Sequence, residues 1–306
     1  MQALYDLVEQ IAPYDVPVLI TGEQGAGKER IADAIQHLSD RRAGPYVKVN
    51  CAALSPTTGE CELFGHKRGG LHSATEDRHG HFGEADGGTL LLDEVGELCA
   101  PLQAKLVRAV QEGEVQRMGD DQIRKVNVRI IAATNRPIEE DVLSGAFRED
   151  LYYRLAGVRV HAAPLRERTE DIPLLAEYFL AGFVKDSEAR GRSRPIPRLG
   201  VAALQALLTH PWRGNVRELE NVLRLAFMRA PPGHEIGPEA LTLTSSGKTT
   251  APREDLNLAN IERSAIQKAM DRSAQNVTAA AKLLGIDRTT LWRKLKETGE
   301  NPIDPR

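Results

Sequence analysis

The stretch VPVLITGEQGAGKE, residues 16–29, runs an apolar segment into Gly22-x-x-x-x-Gly27-Lys28. Glycines let backbone N–H groups wrap around phosphate oxygens, a helix begun at the loop offers its positive N-terminus, and the lysine reaches the terminal phosphates of a nucleotide. Gly22, Glu23, Gln24, Gly25, Ala26, Gly27 and Lys28 are therefore the expected nucleotide-binding residues, with a plain glycine-rich turn as the competing explanation. Glu29 follows the lysine where the general motif has a Ser or Thr hydroxyl for magnesium, so metal holding must fall elsewhere. The segment GGTLLLDEV, residues 87–95, supplies a place: an apolar strand ends in Asp93 and Glu94, at the sheet edge where open α/β folds bind ligands. Asp93 is expected to hold Mg2+, directly or through water, and Glu94 to polarise an attacking water; either carboxylate alone could instead cap a helix. Thr134 and Asn135 close a further apolar run, IIAATN, where an amide could sense the γ-phosphate or position water. Loop, Asp-Glu strand and Asn strand, in that order, predict an enzyme that hydrolyses ATP with Mg2+ as cofactor.

These residues need a scaffold that gathers strand ends. Short β-branched or leucine-rich runs (VPVLIT, YVKVNC, GTLLLDEV, VRIIAATN and GVRVHAAP) alternate with helical stretches from about residue 16 to 165. Apolar strands separated by helices predict a parallel sheet covered on both faces, an α/β domain over 1–165. After PLRERTEDIP the apolar residues recur at three- and four-residue spacing, which predicts a small helical domain over 166–243. Residues 244–256, rich in Ser, Thr, Gly and Pro, read as a linker, and 257–306 as a short, helical, more basic domain.

Composition narrows the classes. The net charge of −3 confines any nucleic-acid surface to one region. Three cysteines, Cys51, Cys61 and Cys99, form no CxxC and cannot all pair, which suits a reducing cytoplasm. No apolar run approaches membrane-spanning length, and MQALYDLVEQ is acidic where a signal peptide is basic, so no membrane partner is expected. His66, His72, His79 and His81 crowd into residues 63–82 and suggest a metal site, but no HExxH or paired-cysteine spacing accompanies them, and an exposed loop explains them better.

The confined basic region lies in NVTAAAKLLGIDRTTLWRKLKETG, which reads as helix, glycine turn, helix. Asn276 or Thr278 begins the first helix, with Ala279, Ala280, Leu283 and Leu284 on its buried side. The second helix starts near Asp287 and carries Arg288, Thr289, Thr290, Arg293, Lys294 and Lys296, the expected DNA-binding residues of a recognition helix for double-stranded DNA. Trp292 is expected to pack rather than to touch bases.

Taken together, GEQGAGKE, VNCAAL, ELFGH, ADGGTLLLDEVGEL, FREDLYYRL, PLRERTEDIPLL and WRGNVRELEN resemble the AAA+ bacterial enhancer-binding proteins of NtrC type, which activate sigma-54 RNA polymerase. The resemblance covers nearly the whole chain and implies an AAA+ P-loop ATPase domain with a helical lid, followed by an all-α Fis-like helix-turn-helix domain. Glu29 is usual after the loop lysine in that family, so the resemblance adds it to the expected nucleotide-binding residues. The resemblance further implies that Asn50 is a polar switch holding Glu94 from water, that Arg148 and Arg154 are arginine fingers given in trans, and that Arg217 reports nucleotide state from the lid. A site completed in trans implies a hexamer or heptamer ring, and residues 261–270 would pair with a twin so that the reader dimerises on a two-fold site.

The family tips its sigma-54 loop with Gly-Ala-Phe-Thr-Gly-Ala. Here the tip is Gly69, Gly70, Leu71, His72, Ser73 and Ala74, with an apolar knob but no aromatic ring, and the companion loop around 115–121 carries Arg117 and Met118. Two functions follow: a DNA-bound ring ATPase that remodels sigma-54 polymerase, or a regulator whose altered tip does not engage sigma-54 and which acts through ordinary polymerase or nucleotide-controlled assembly. In the family an upstream domain, such as a phosphate receiver, precedes the point where Met1 stands; its lack here implies control by a partner or a trimmed chain.

Overall fold

The computed structural model describes residues 2–68, 76–189, 191, 195–231, 233–243, 266, 269–270, 273 and 276–297. The chain divides into two compact units, Met1–Leu243 and Thr244–Arg306.

In the first unit the predicted strands form one parallel sheet. Strands β1 (Val18–Gly22), β2 (Tyr46–Asn50) and β3 (Thr89–Asp93) belong to it, with β6 (Arg129–Thr134) and β7 (Val158–Ala162). The order is β2-β3-β6-β1-β7, so the chain enters at β1 near one edge and β3 and β6 lie inside. The hairpin of β4 (Glu114–Gln116) and β5 (Ile123–Lys125) stands apart as an antiparallel pair.

Successive side chains of a strand point to opposite faces. Leu90 and Leu92 of β3, with Ile130 and Ala132 of β6, accordingly enter one core, while Leu91, Ile131 and Ala133 enter the other. The second core is closed by α1 (Gln2–Ile11) and α2 (Lys28–His37) through Val8, Ile11, Ile31 and Ile35. The first is closed by α3 (Gly59–Phe64), α4 (Gly80–Glu84), α5 (Ala100–Glu112) and α7 (Glu149–Leu155), with α6 (Ile138–Leu143) supplying Ile138. A strand buried on both sides cannot alternate with polar residues, which is why TLLLD and RIIAAT read as continuous apolar runs.

Beyond β7 the chain becomes helical, as its spacing predicts. Helices α8 (Ile172–Ala189), α9 (Val201–Thr209) and α10 (Asn215–Arg229) pack around Trp212, which is fully buried. Its indole N–H donates to the Leu207 carbonyl at 2.8 Å, so burying the ring leaves no orphan donor. The second unit contains α11 (Val277–Leu284) and α12 (Arg288–Glu297), closed over Ile266, Met270, Ala280, Ala281 and Leu291. Among the described residues no helix is long and apolar enough to cross a membrane.

Candidate nucleotide site

The loop between β1 and α2 carries Lys28, only 6% exposed. Its ammonium donates to the Gly22 carbonyl at 3.0 Å and the Glu23 carbonyl at 3.3 Å, and lies 3.7 Å from Glu94 Oε1. Glu94 follows β3 with φ 53°, a left-handed conformation costing a non-glycine residue about 1–2 kcal/mol. Its other oxygen, Oε2, accepts from the Asn135 backbone N–H at 3.0 Å, and Asp93 Oδ1 accepts from the Glu94 N–H at 3.1 Å. Loop, β3 end and β6 end thus meet as the sequence predicts. Cys51, next to this edge, has its thiol pushed up to about 12 by burial and by the Asp93 and Glu94 charges, so it stays protonated and is no nucleophile.

Two expected roles look different in place. Asn50 lies opposite Asp93 in the β2–β3 register, but its side-chain oxygen accepts from Ala52 N–H at 3.0 Å; the partners of Glu94 are Lys28 and Asn135. Glu29, in the first turn of α2, turns outward to Lys48 at 2.9 Å rather than into the loop. Glu23 is also engaged outside its own loop: its carboxylate takes a bidentate pair from Arg166 at 2.6 and 2.8 Å and an N–H from Asn215 at 3.1 Å. Arg166 and then Asn215 hold the Glu23 carboxyl well below the usual range, at about 2.

The helical region is docked on this loop. Val216 N–H donates to the Gly25 carbonyl at 3.0 Å, and Arg168, 8% exposed, donates to the Ala26 carbonyl at 2.6 Å. A Cβ on Gly25, whose φ is 76°, would stand 2.4 Å from the Gly214 oxygen and 3.2 Å from Arg217 Cβ, so only glycine admits so close an approach. Arg217 is exposed at the start of α10, next to the loop. An apolar cavity of about 370 Å³ opens beside Gly27, lined by Leu4, Tyr5, Val8, Ile31, Leu175 and Val216. A second cavity, about 420 Å³, lies under the β4–β5 hairpin and shares no lining residue with it. Arg166, Arg168, Asn215 and the α1 wall of the cavity are the residues sequence reading missed. The first three sit inside quoted motifs, but no local rule marks a residue that acts by gripping a distant loop.

Arg148 precedes α7 as its N-cap and Arg154 stands in its last turn, and both are exposed. Arg148 forks onto Asp150 at 2.7 and 3.0 Å, and its backbone N–H donates to Gln103 Oε1 at 2.8 Å. Neither guanidinium is joined to the phosphate loop of its own chain.

Gly69, Gly70, Leu71, His72, Ser73 and Ala74 lie outside the described residues, while the stem beneath them does not. His66 and Arg78 exchange backbone hydrogen bonds at 3.1 and 2.9 Å. Lys67 N–H donates to the Met118 carbonyl and Met118 N–H to the Gly65 carbonyl, tying the stem to the hairpin turn. Buried Arg117 donates to His79 Nδ1 and stands 4.0 Å from Asp77; His81 pairs with Glu84. Among the described residues no cluster of histidines, cysteines and carboxylates could hold a metal ion.

In the second unit Asn276, not Thr278, caps α11: its Oδ1 accepts from the Thr278 and Ala279 N–H groups at 3.0 and 3.2 Å. Gly285, φ 68°, makes the turn, and Asp287 Oδ1 accepts from both the backbone and the hydroxyl of Thr289. The buried residues of α11 are Ala280 and Ala281; Ala279 and Leu284 are half-buried, and Leu283, expected inside, is 63% exposed. Trp292, expected to pack, is 48% exposed. Arg288, Thr289 and Arg293 are exposed on α12, Thr290 and Lys294 half-buried; Lys296 belongs to α12, its side chain outside the description.

Comparison with known proteins agrees with this geometry. Residues 1–161 match the sigma-54 interaction domain, 166–257 the AAA+ ATPase lid domain, and 257–297 the Fis family of bacterial regulatory proteins. The chain is 43% identical over 293 residues to the Nif-specific regulatory protein of Azotobacter vinelandii, covering 94% of this chain and 55% of that one. It is 44% identical over 300 residues to the transcriptional regulatory protein ZraR of Klebsiella oxytoca, covering 96% and 66%. The chain therefore spans between about half and two thirds of the length of these relatives. The crystal structure of NtrX from Brucella abortus in complex with ATP superposes with a TM-score of 0.71 at 32% identity, covering 98% of this chain and 67% of that one. With a parallel sheet that gathers Lys28, Glu94 and Asn135 at one edge and a family match over more than half its length, the chain belongs to the sigma-54 interaction domain family.

Proposed function

We propose that this chain binds a two-fold site on double-stranded DNA through residues 257–306 and couples ATP hydrolysis, in a hexamer or heptamer ring, to remodelling of sigma-54 RNA polymerase. In this reading the ATPase core spans 1–165, the lid 166–243 and a linker 244–256. The observation that carries it is the contact of Lys28 with Glu94 at the end of β3, beneath a lid bonded to the loop at Gly25.

The residues fit a bound nucleotide. Lys28 is buried on two loop carbonyls that a phosphate can replace, and the space a Cβ would fill at Gly27 is open. The apolar cavity beside Gly27 has the size and lining for a purine base. A hard carboxylate oxygen of Asp93 suits Mg2+, which when bound would neutralise charge on the phosphate oxygens. Drawing Lys28 onto the phosphates frees the Glu94 carboxylate to take a proton from water, while the Asn135 N–H keeps that carboxylate oriented. Asn135 senses the γ-phosphate through its amide, and Asn50, opposite Asp93 in the β2–β3 register, is the polar switch that holds Glu94 from water until a partner is engaged. Arg148 and Arg154, exposed and away from their own loop, reach the neighbouring subunit's nucleotide, and Arg217 senses it from the lid. The loop tip, Gly69 to Ala74, contacts sigma-54, and α12 enters the major groove with Arg288, Thr289, Thr290, Arg293, Lys294 and Lys296. The match of residues 1–161 to the sigma-54 interaction domain favours this reading over a regulator that bypasses sigma-54.

The test is native-gel binding of sigma-54 in the presence of ADP and a metal fluoride, beside a Leu71→Phe, His72→Thr, Ser73→Gly variant. A complex with the unaltered chain is expected. A complex with the variant alone would overturn the sigma-54 assignment while leaving the ring ATPase intact. Turnover per subunit should rise with protein concentration and collapse in Arg148→Ala by about 10³ or more.

A further inference from the structure

An asparagine at the head of a helix ordinarily accepts from N–H groups of its own helix. Asn215 opens α10 and does something else: all three of its side-chain hydrogen bonds go to groups outside that helix. Its Nδ2 donates to Glu23 Oε2 at 3.1 Å and to the Gln24 carbonyl at 3.0 Å, and its Oδ1 accepts from the Leu165 N–H at 2.8 Å. Leu165 offers a donor and Gln24 an acceptor, so only one orientation of the amide satisfies both. The residue is fully buried, and it holds φ 54°, a left-handed conformation that asparagine tolerates better than other non-glycine residues.

The three partners belong to three parts. Glu23 and Gln24 are in the phosphate loop, Leu165 stands where the chain leaves the sheet domain, and Asn215 is the first residue of the lid helix carrying Arg217. The segment after Leu165 grips the same loop twice more, Arg166 on the Glu23 carboxylate and Arg168 on the Ala26 carbonyl. The loop is thus held at Glu23, Gln24, Gly25 and Ala26 by groups of the lid and its connection.

We propose that Asn215, with Glu23 as its charged partner, is a positioning residue that locks the phosphate loop to the lid, so that lid rotation and loop shape change together and nucleotide affinity depends on lid attitude. This rests on the nucleotide site proposed above. Glu23 then serves the loop from outside, holding its shape, and does not touch phosphate. Asn215 itself is fully buried and its amide is spent on three bonds of 2.8 to 3.1 Å, so a displacement of α10 is passed on to Gln24 and Gly25.

The experiment uses the full chain with Asn215→Gly and Asn215→Ala. Glycine is at ease at φ 54°, so Asn215→Gly deletes the amide and keeps the backbone, whereas Asn215→Ala also strains it. Affinity for N-methylanthraniloyl-ADP is measured by fluorescence, and amide exchange is followed over residues 22–28 and, as an internal control, 89–93. We expect Asn215→Gly to weaken nucleotide binding about ten-fold and to speed exchange in 22–28 with 89–93 unchanged. Glu23→Gln, which retains an acceptor for Asn215, should lie between it and the unaltered chain. Asn215→Gly with unaltered affinity and unaltered loop exchange would overturn the lock and leave the nucleotide site standing. Absence of nucleotide binding by the unaltered chain would overturn the site itself, and the lock with it.

Discussion

Lys28 and Glu94 face each other at 3.7 Å across the edge of the sheet, one from the head of α2 and one from a left-handed residue after β3. The pair sets two groups of opposite charge in a largely buried place, where each limits what the other can do until a phosphate arrives.

Glu94→Gln keeps an oxygen for the Asn135 N–H and removes the base. ATP turnover should fall by about 10² to 10⁴ while nucleotide affinity stays within a few-fold of the unaltered chain. Steady-state phosphate release beside equilibrium nucleotide binding checks it; parallel loss of both would remove Glu94 from the chemistry.

Gly25 and Gly27 both have positive φ, yet only Gly25 is pressed by the lid. Gly27→Ala should cost about 1–2 kcal/mol from backbone strain alone. Gly25→Ala adds a carbon 2.4 Å from the Gly214 oxygen, so it should destabilise more and detach Val216 from the loop. Thermal melts of the two variants rank them, and equal melting temperatures would contradict the close approach.

The Glu23 carboxyl, at about 2 when folded, lies below its ordinary 4.5 because Arg166 and Asn215 bond its charged form. A group with a depressed folded value contributes stability that is complete above its unfolded value and is lost as pH falls through the folded one. The window is therefore from about 4.5 down to about 2. Glu23→Gln should be less stable than the unaltered chain at pH 6, and the difference should shrink toward pH 3. Melting curves at both pH values decide it. A gap that stays constant would mean the Arg166 pair adds nothing, as exposed pairs often do.

Asn276 holds two N–H groups at the start of α11. Asn276→Ala should cost about 1 kcal/mol in the second unit and lower DNA affinity through loss of order, whereas Arg293→Ala, exposed on α12, should lower affinity without changing the melt. The salt dependence of DNA binding separates them: its slope should fall by about one for Arg293→Ala and stay unchanged for Asn276→Ala.

The sequence by itself determined what short range can determine. Continuous apolar runs such as TLLLD and RIIAAT specify strands buried on both faces, and Gly22-x-x-x-x-Gly27-Lys28 specifies a loop that can wrap phosphate, because period and glycine spacing are local properties of the chain. The gathering of Lys28, Glu94 and Asn135 was legible for the same reason: each ends an apolar strand or opens the next helix, and parallel strands put those ends at one edge. What faces what across the molecule was not. Glu23 sits inside the phosphate motif yet serves Arg166 and Asn215, some 140 to 190 residues away, and Glu29 turns to Lys48. Leu283 lies at an apolar spacing yet outside. Tertiary structure alone decided these, since a hydrogen bond depends on where two segments meet in space, and no local periodicity carries the approach of α10 to the loop at Gly25.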